Sequence, residues 1–112
     1  MISRQWHGVA KSTRADEYVE HLRTETFPQL SKIPGFIDAS ILKRNVRQGI
    51  EFLIVTHWES IGAIEQFAGL DADVAVVPAK VQEMMIEYDR RVLHYEVVAN
   101  RIHQEKAAVS EE

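Results

Sequence analysis

The sequence contains no cysteine, which removes disulfides, thiolate metal ligation, iron–sulfur clusters and cysteine nucleophiles in one step. Long apolar runs are also missing, the longest being a few residues against the ~20 that a membrane-spanning helix needs. The opening eight residues, MISRQWHG, hold no apolar stretch of signal-peptide length, so a cytoplasmic protein is expected. No charge of one sign dominates: 13 Lys and Arg stand against 17 Asp and Glu, a formal charge of -4. That balance gives no pull towards nucleic acid or an anionic membrane. The basic pairs Lys43-Arg44 and Arg90-Arg91 lack the aromatic interleaving of a single-strand nucleic-acid surface and read as solvated strand ends or inter-subunit ion pairs. There is no glycine-rich dinucleotide loop, no P-loop and no Ser-His-Asp arrangement with motif support.

What is present fits one domain of 112 residues. A chain of this size buries only about two-thirds of its unfolded surface, so association is a natural way to gain core. Ile2 to Val9 reads as a strand, and Lys11-Ser12-Thr13 as a break offering hydroxyl caps to a helix. From Arg14 to Leu30 the residues Tyr18, Val19, Leu22, Thr26 and Leu30 recur at helical spacing. Pro28 lacks an N–H, so a kink or an early stop is expected there. Two strands follow, Phe36 to Arg44 and Ile50 to Trp58, joined through Asn45–Gly49. Phe52-Leu53-Ile54-Val55 is apolar on both faces, so one face must lie under helices and the other needs a cover that this short chain lacks. A homodimer through that open sheet face is the expected answer.

Ser60 is placed to cap a short helix bearing Ile61, Ile64, Phe67 and Ala68 on one side. After a polar bend at Leu70 to Asp73, Pro78 suits the first turn of another helix with Val81, Met84 and Met85 as its buried side. A last strand is expected from Tyr88 to Val98, with a polar tail, helical or disordered, over 99–112. The order β-α-β-β-α-β is the split βαβ, ferredoxin-like arrangement of an α+β fold, with the first strand between the third and the last.

Five histidines invite a metal reading, but none shows a metal-binding spacing. The topology sets His57 opposite roughly Ile2 and His7 opposite roughly Leu53, and five residues at ~3.3 Å each hold them about 16 Å apart. A zinc ion needs its nitrogens at about 2 Å, so no protein-borne metal site is expected. The register also pairs Val9 close to Arg90, which brings Gln5 near His94. Histidine has the intrinsic pKa for proton abstraction near neutrality, and an amide beside it can position an oxygen atom. The plain alternative is a satisfied strand or interface histidine. Trp6 and Trp58 are either walls for a planar ligand or core, core being the simpler account of Trp58. Arg4 shares a strand face with Trp6 and suits an anionic group. His21 lies near the helix stripe and faces either the cavity or, the favoured reading, solvent.

Pro34-Gly35-Phe36 before the second strand, Thr56-His57-Trp58-Glu59-Ser60 closing the third, the Ala63…Phe67 helix and the pair His94-Tyr95 together resemble the antibiotic-biosynthesis-monooxygenase superfamily. The resemblance covers residues 1 to 98 and implies a dimeric α/β barrel, two sheets closing face to face. It implies functions ranging from cofactor-independent oxidation of polyketide-like aromatics, through haem degradation, to members with no assigned reaction. The haem-degrading branch uses a first-strand asparagine, a helix tryptophan and a proximal histidine; here those places hold Gln5, Phe67 and a residue near Val77, so the iron ligand is missing unless His94 or His21 takes that role. Gln5, Trp6, Trp58 and His94 resemble the pocket set of the oxygenase branch. In the oxygenase reading His94 and Gln5 are the catalytic pair, Arg4, Trp6, His21, Trp58 and Phe67 are the residues expected towards a small aromatic substrate, and no cofactor is expected. A non-catalytic small-ligand-binding or structural dimer is the alternative, and a haem-binding protein the second.

Overall fold

The computed structural model describes residues 1–100. The tail expected over 99–112 therefore lies, from 101 on, outside the described residues. Five strands, β1 (Ile2–Ala10), β2 (Phe36–Asn45), β3 (Ile50–Trp58), β4 (Met85–Tyr88) and β5 (Leu93–Glu96), form one antiparallel sheet. Its order is β2-β3-β1-β4, with β5 beside β1 on the same edge as β4. β1 is central, as the split βαβ arrangement requires, and Ile2 to Ala10 pair with Trp58 to Ile50 without interruption.

Helices cover one face. α1 (Ala15–His21) continues through a π-helical turn, Leu22–Thr26, into α2 (Phe27–Leu30). The disturbance expected at Pro28 takes this form: Pro28 sits in the first turn of α2, and the wider preceding turn, closed by the Phe27 N–H on the Leu22 carbonyl, makes room for the proline ring. The hydroxyl caps expected from Ser12 and Thr13 are not made; Ser12–Arg14 is a 3-10 turn, and the Arg14 N–H donates to the Lys11 carbonyl. Ser60 does cap α3 (Ile61–Ala68), its Oγ accepting from the Ala63 N–H at 3.2 Å. Pro78 stands one residue before α4 (Ala79–Met84), and Met85 already begins β4.

The single last strand expected from Tyr88 to Val98 is two. Asp89 accepts from the His7 N–H through its carboxylate, and residues 90–92 leave β1 to bond the loop at Asp73–Ala75. A loop thus takes over hydrogen bonds that a continuous strand would have given to the ladder.

The expected α/β barrel is overturned. Among the described residues the sheet runs from a free edge at β2 to a free edge at β4 and β5, and its ends do not meet. Two of its five strands are only four residues long, and the sheet stays open. Phe52, Ile54, Thr56 and Trp58 face the helices and are buried, with Tyr18, Leu22, Val81 and Met84 in one cluster with Phe52 and Ile54, and Leu30 and Ile64 in a second with Trp58. On the opposite face Leu53 lies against Leu42 and His7, Val55 against Gln5, and Gln5 against Leu93. Leu42, Leu93 and Tyr95 on that face are about half exposed, so the two-faced apolar character of β3 is real and half of it is uncovered. Among the described residues no helix is long and apolar enough to cross a membrane.

Candidate functional site

A cavity of about 80 Å³ lies between the helices and the sheet. Trp6, Tyr18, Phe27, Leu30, Val77 and Val81 give it apolar walls, while Arg4, His21, Thr26 and Thr56 bring polar groups to it. Trp6 reaches the cavity because its neighbour two residues on is glycine: a Cβ on Gly8 would overlap the indole edge. The indole N–H donates to the Asp89 carbonyl at 2.9 Å, and the ring packs 6.1 Å from Tyr18 and 6.4 Å from Tyr88. Burial raises the Tyr18 phenol well above its ordinary value, so it is neutral at any physiological pH.

Arg4 is 5% exposed. Its Nη2 donates to the Val74 carbonyl at 3.0 Å and its Nη1 to the Ala72 carbonyl, and Cζ lies 5.8 Å from the Phe67 ring centre. Burial brings its pKa down to about 10, with the charge of Asp73 opposing the shift, so the guanidinium remains charged at neutral pH.

His94 stands behind Arg4. The register on β5 is one residue from the expected one: Arg4, not Gln5, lies opposite His94. A one-residue slip exchanges the two faces of a strand, so Gln5 points to the open face, pairs with Leu93 and donates to Ser3 Oγ at 3.3 Å. His94 Nε2 is 3.0 Å from Arg4 Nη1 and Nδ1 is 3.0 Å from Asp73 Oδ1. Arginine only donates, so Nε2 is the acceptor and Nδ1 carries the proton towards Asp73. Both ring nitrogens are engaged within the protein.

The remaining expected residues fall in different places. His21 is 7% exposed and lines the cavity, against the favoured solvent-facing reading. Phe67 lines the cavity, while Trp58 lies outside it, fully buried, stacked on Phe67 at 6.3 Å and donating to Thr56 Oγ1 at 2.8 Å. The cavity thus gathers Arg4, Trp6, His21 and Phe67 and leaves out Gln5, His94 and Trp58. Among the described residues no three His, Asp or Glu side chains converge as a metal-holding group. Asp73, which orients His94, was not legible in the sequence, because its place depends on the loop bonding residues 90–92 and no local pattern encodes that pairing.

Comparison with known proteins agrees with this fold. A Bacillus cereus protein described as a candidate antibiotic biosynthesis monooxygenase superposes with a TM-score of 0.65 at 23% identity, covering 94% of this chain and 98% of its own. The haem degrader MhuD of Mycobacterium tuberculosis, solved with two haems in its active site, gives 0.56 at 21% identity over 89% and 98%. The ActVA-Orf6 monooxygenase of Streptomyces coelicolor, in complex with nanaomycin D, gives 0.57 at 15% over 92% and 91%. At these identities the likeness is one of fold. No curated protein matches. The family profile described as antibiotic biosynthesis monooxygenase matches residues 9–77, more than half of the sequence. On that match, the chain belongs to the antibiotic biosynthesis monooxygenase family.

Proposed function

We propose that this protein is a small-molecule-binding homodimer whose ligand occupies the cavity between helices and sheet. The observation that carries the reading is the cavity itself, a space with aromatic and aliphatic walls into which a buried cation, Arg4, and a buried imidazole, His21, are built. Buried polar groups are costly, and a few of them set in apolar walls are the usual make-up of a ligand site. At about 80 Å³ the space is well below the ~300 Å³ of the smallest drug-sized sites. It suits one ring rather than a fused polycycle.

Binding, rather than turnover, is the function the geometry supports best. The pair expected to carry oxygenation, His94 and Gln5, stands on opposite faces of the sheet, and neither lines the cavity. A porphyrin is favoured less: the position near Val77 expected for an iron ligand carries no histidine, so that role would fall to the cavity-lining His21, and about 80 Å³ is small for a fused polycycle. The dimer rests on the half-exposed Leu42, Leu93 and Tyr95 across the open face, and a composition without cysteine suits the reducing cytoplasm. Two measurements test the reading. Titration of the 15N-labelled protein with single-ring aromatics is expected to shift amides of β1, α1 and α4 together, and shifts scattered over the surface would refute a cavity site. Sedimentation is expected to give a dimer, and a monomer at high micromolar concentration would remove the partner.

A further inference from the structure

Two histidines stand on the open face of the sheet, each beside a carboxylate. His57 Nδ1 lies 2.7 Å from Asp38 Oδ1, across the β2–β3 pair, and His7 Nδ1 lies 3.3 Å from Asp89 Oδ2. The His7 backbone N–H also donates to that Asp89 oxygen, at 3.0 Å, which fixes the carboxylate beside the ring. Both contacts are made through Nδ1, so a proton added at Nε2 leaves them standing. The other histidines among the described residues, His21 and His94, lie on the helix-covered side.

The charges around the two rings are unequal in sign. His7 shares a hollow of the open face with Lys43, Arg44 and Glu51, and Glu87 on β4 stands opposite Val9, two residues along. His57 has Asp38 to one side, on β2, and to the other the uncharged Ser3 of β1 and Tyr95 of β5. With both imidazoles neutral, four anions (Asp38, Glu51, Glu87 and Asp89) face two cations, Lys43 and Arg44. With both protonated, four cations face the same four anions. A two-fold dimer sets the same groups of both copies against one another, so any excess charge is doubled within one contact. Like charges brought together away from water repel more strongly than on a free surface. The balanced face is the one that a copy of itself can meet, cations of one protomer against anions of its partner, with Leu42, Leu53 and Leu93 as the apolar ground between.

We propose that the homodimer is proton-linked: protonation of His7 and His57 tightens it. Imidazole is the side chain whose charge ordinarily changes between pH 5 and 8, so the response falls in the physiological range. Association takes up protons; the dimer therefore gains strength as pH falls from 8 to 6 and loses it as pH rises. The inference rests on the reading of the open face as the dimer interface, and it adds the regulation of that interface.

Sedimentation of the full-length protein at pH 8 and at pH 6 is the test. The dimer dissociation constant is expected to be about tenfold lower at pH 6, the four imidazoles of the dimer each contributing roughly what an exposed ion pair does. In the double variant His7→Gln, His57→Gln the constant is expected to be the same at the two pH values. A wild-type dimer of equal or weaker affinity at pH 6 would overturn the linkage and leave the interface, and so would a pH response that the double variant retains. A monomer at both pH values, at high micromolar concentration, would overturn the interface and the linkage together. Should the double variant not fold, calorimetric dilution of the wild-type dimer at pH 6.5, in buffers of different ionisation heat, counts the protons released on dissociation. A net release supports the linkage, and none refutes it.

Discussion

Arg4 and His94 face each other across β1 and β5, with Nη1 of one 3.0 Å from Nε2 of the other, and this contact decides what the histidine can do. A lone pair already occupied by a guanidinium proton is not offered to a substrate. Asp73, His94 and Arg4 form a relay of hydrogen bonds that fixes a buried cation at the cavity wall.

The relay fixes a tautomer. His94 is expected to carry its proton on Nδ1 and to keep Nε2 bare, which long-range 1H–15N correlation spectra report directly. A protonated Nε2 at neutral pH would contradict the contact. His94→Leu is expected to destabilise the fold by about 1–3 kcal/mol in chemical denaturation, because Arg4 loses one of its acceptors while remaining buried.

Gly8 is a packing position for Trp6. With Gly8→Ala the indole has to leave its place over β1 and give up the Asp89 carbonyl. The expected cost is about 1–3 kcal/mol of stability, the range for overpacking, together with a red shift of tryptophan fluorescence as the ring becomes more exposed. An unchanged emission spectrum would show that Trp6 does not depend on the glycine.

Tyr18 gives the fold a pH limit. Its phenol titrates near 10 in an unfolded chain and higher in the folded one, because burial disfavours the phenolate. Below pH 10 the phenol is neutral in both states and contributes no pH dependence. Above it the folded state holds the extra proton, so stability falls as pH rises. Denaturation midpoints measured from pH 9 to 11.5 are expected to decline less steeply in Tyr18→Phe than in the wild type. Parallel declines would place the alkaline loss elsewhere.

The open face is expected to respond to one charge. Leu53 lies at the centre of that face, beside Leu42 and His7, so Leu53→Glu sets an ionised group into any contact made there. The dimer dissociation constant, measured by sedimentation, is expected to rise at least a hundredfold while the monomer stays folded by circular dichroism. An unaltered dimer would move the interface to another surface.

The elements legible in the sequence are those whose signals are local. The periodicity of Tyr18, Leu22 and Leu30, the cap at Ser60 and the two-faced β3 each come from neighbours along the chain, and all three are found. The pairing of His7 with Leu53 also holds, because β1 and β3 run their full length in one register. The last strand lacks that continuity. Asp89 intercepts the His7 N–H, the chain detours to the loop at residues 73–75, and it rejoins β1 one residue from the expected register. One residue is enough to exchange Gln5 for Arg4 beside His94, which is why the site was the least legible part of the molecule. For His21, a candidate site residue whose favoured orientation was towards solvent, the difference has a related cause: its burial follows from how the helix, with its π-helical turn, lies on the sheet, which stripe counting along a regular helix does not capture.

The free edge at β2 bears on how the protein behaves in crowded solution. Ten residues of strand whose outer edge has no partner among the described residues are a template on which another chain can add by backbone hydrogen bonds alone, the first step towards a fibril. Asp38, Lys43 and Arg44 stand exposed along that strand, and Arg44 is ion-paired with Glu51 on β3. A second copy adding in register would bring like charges face to face. The short basic pair Lys43-Arg44, unremarkable as a binding motif, thus acts as a guard against self-assembly.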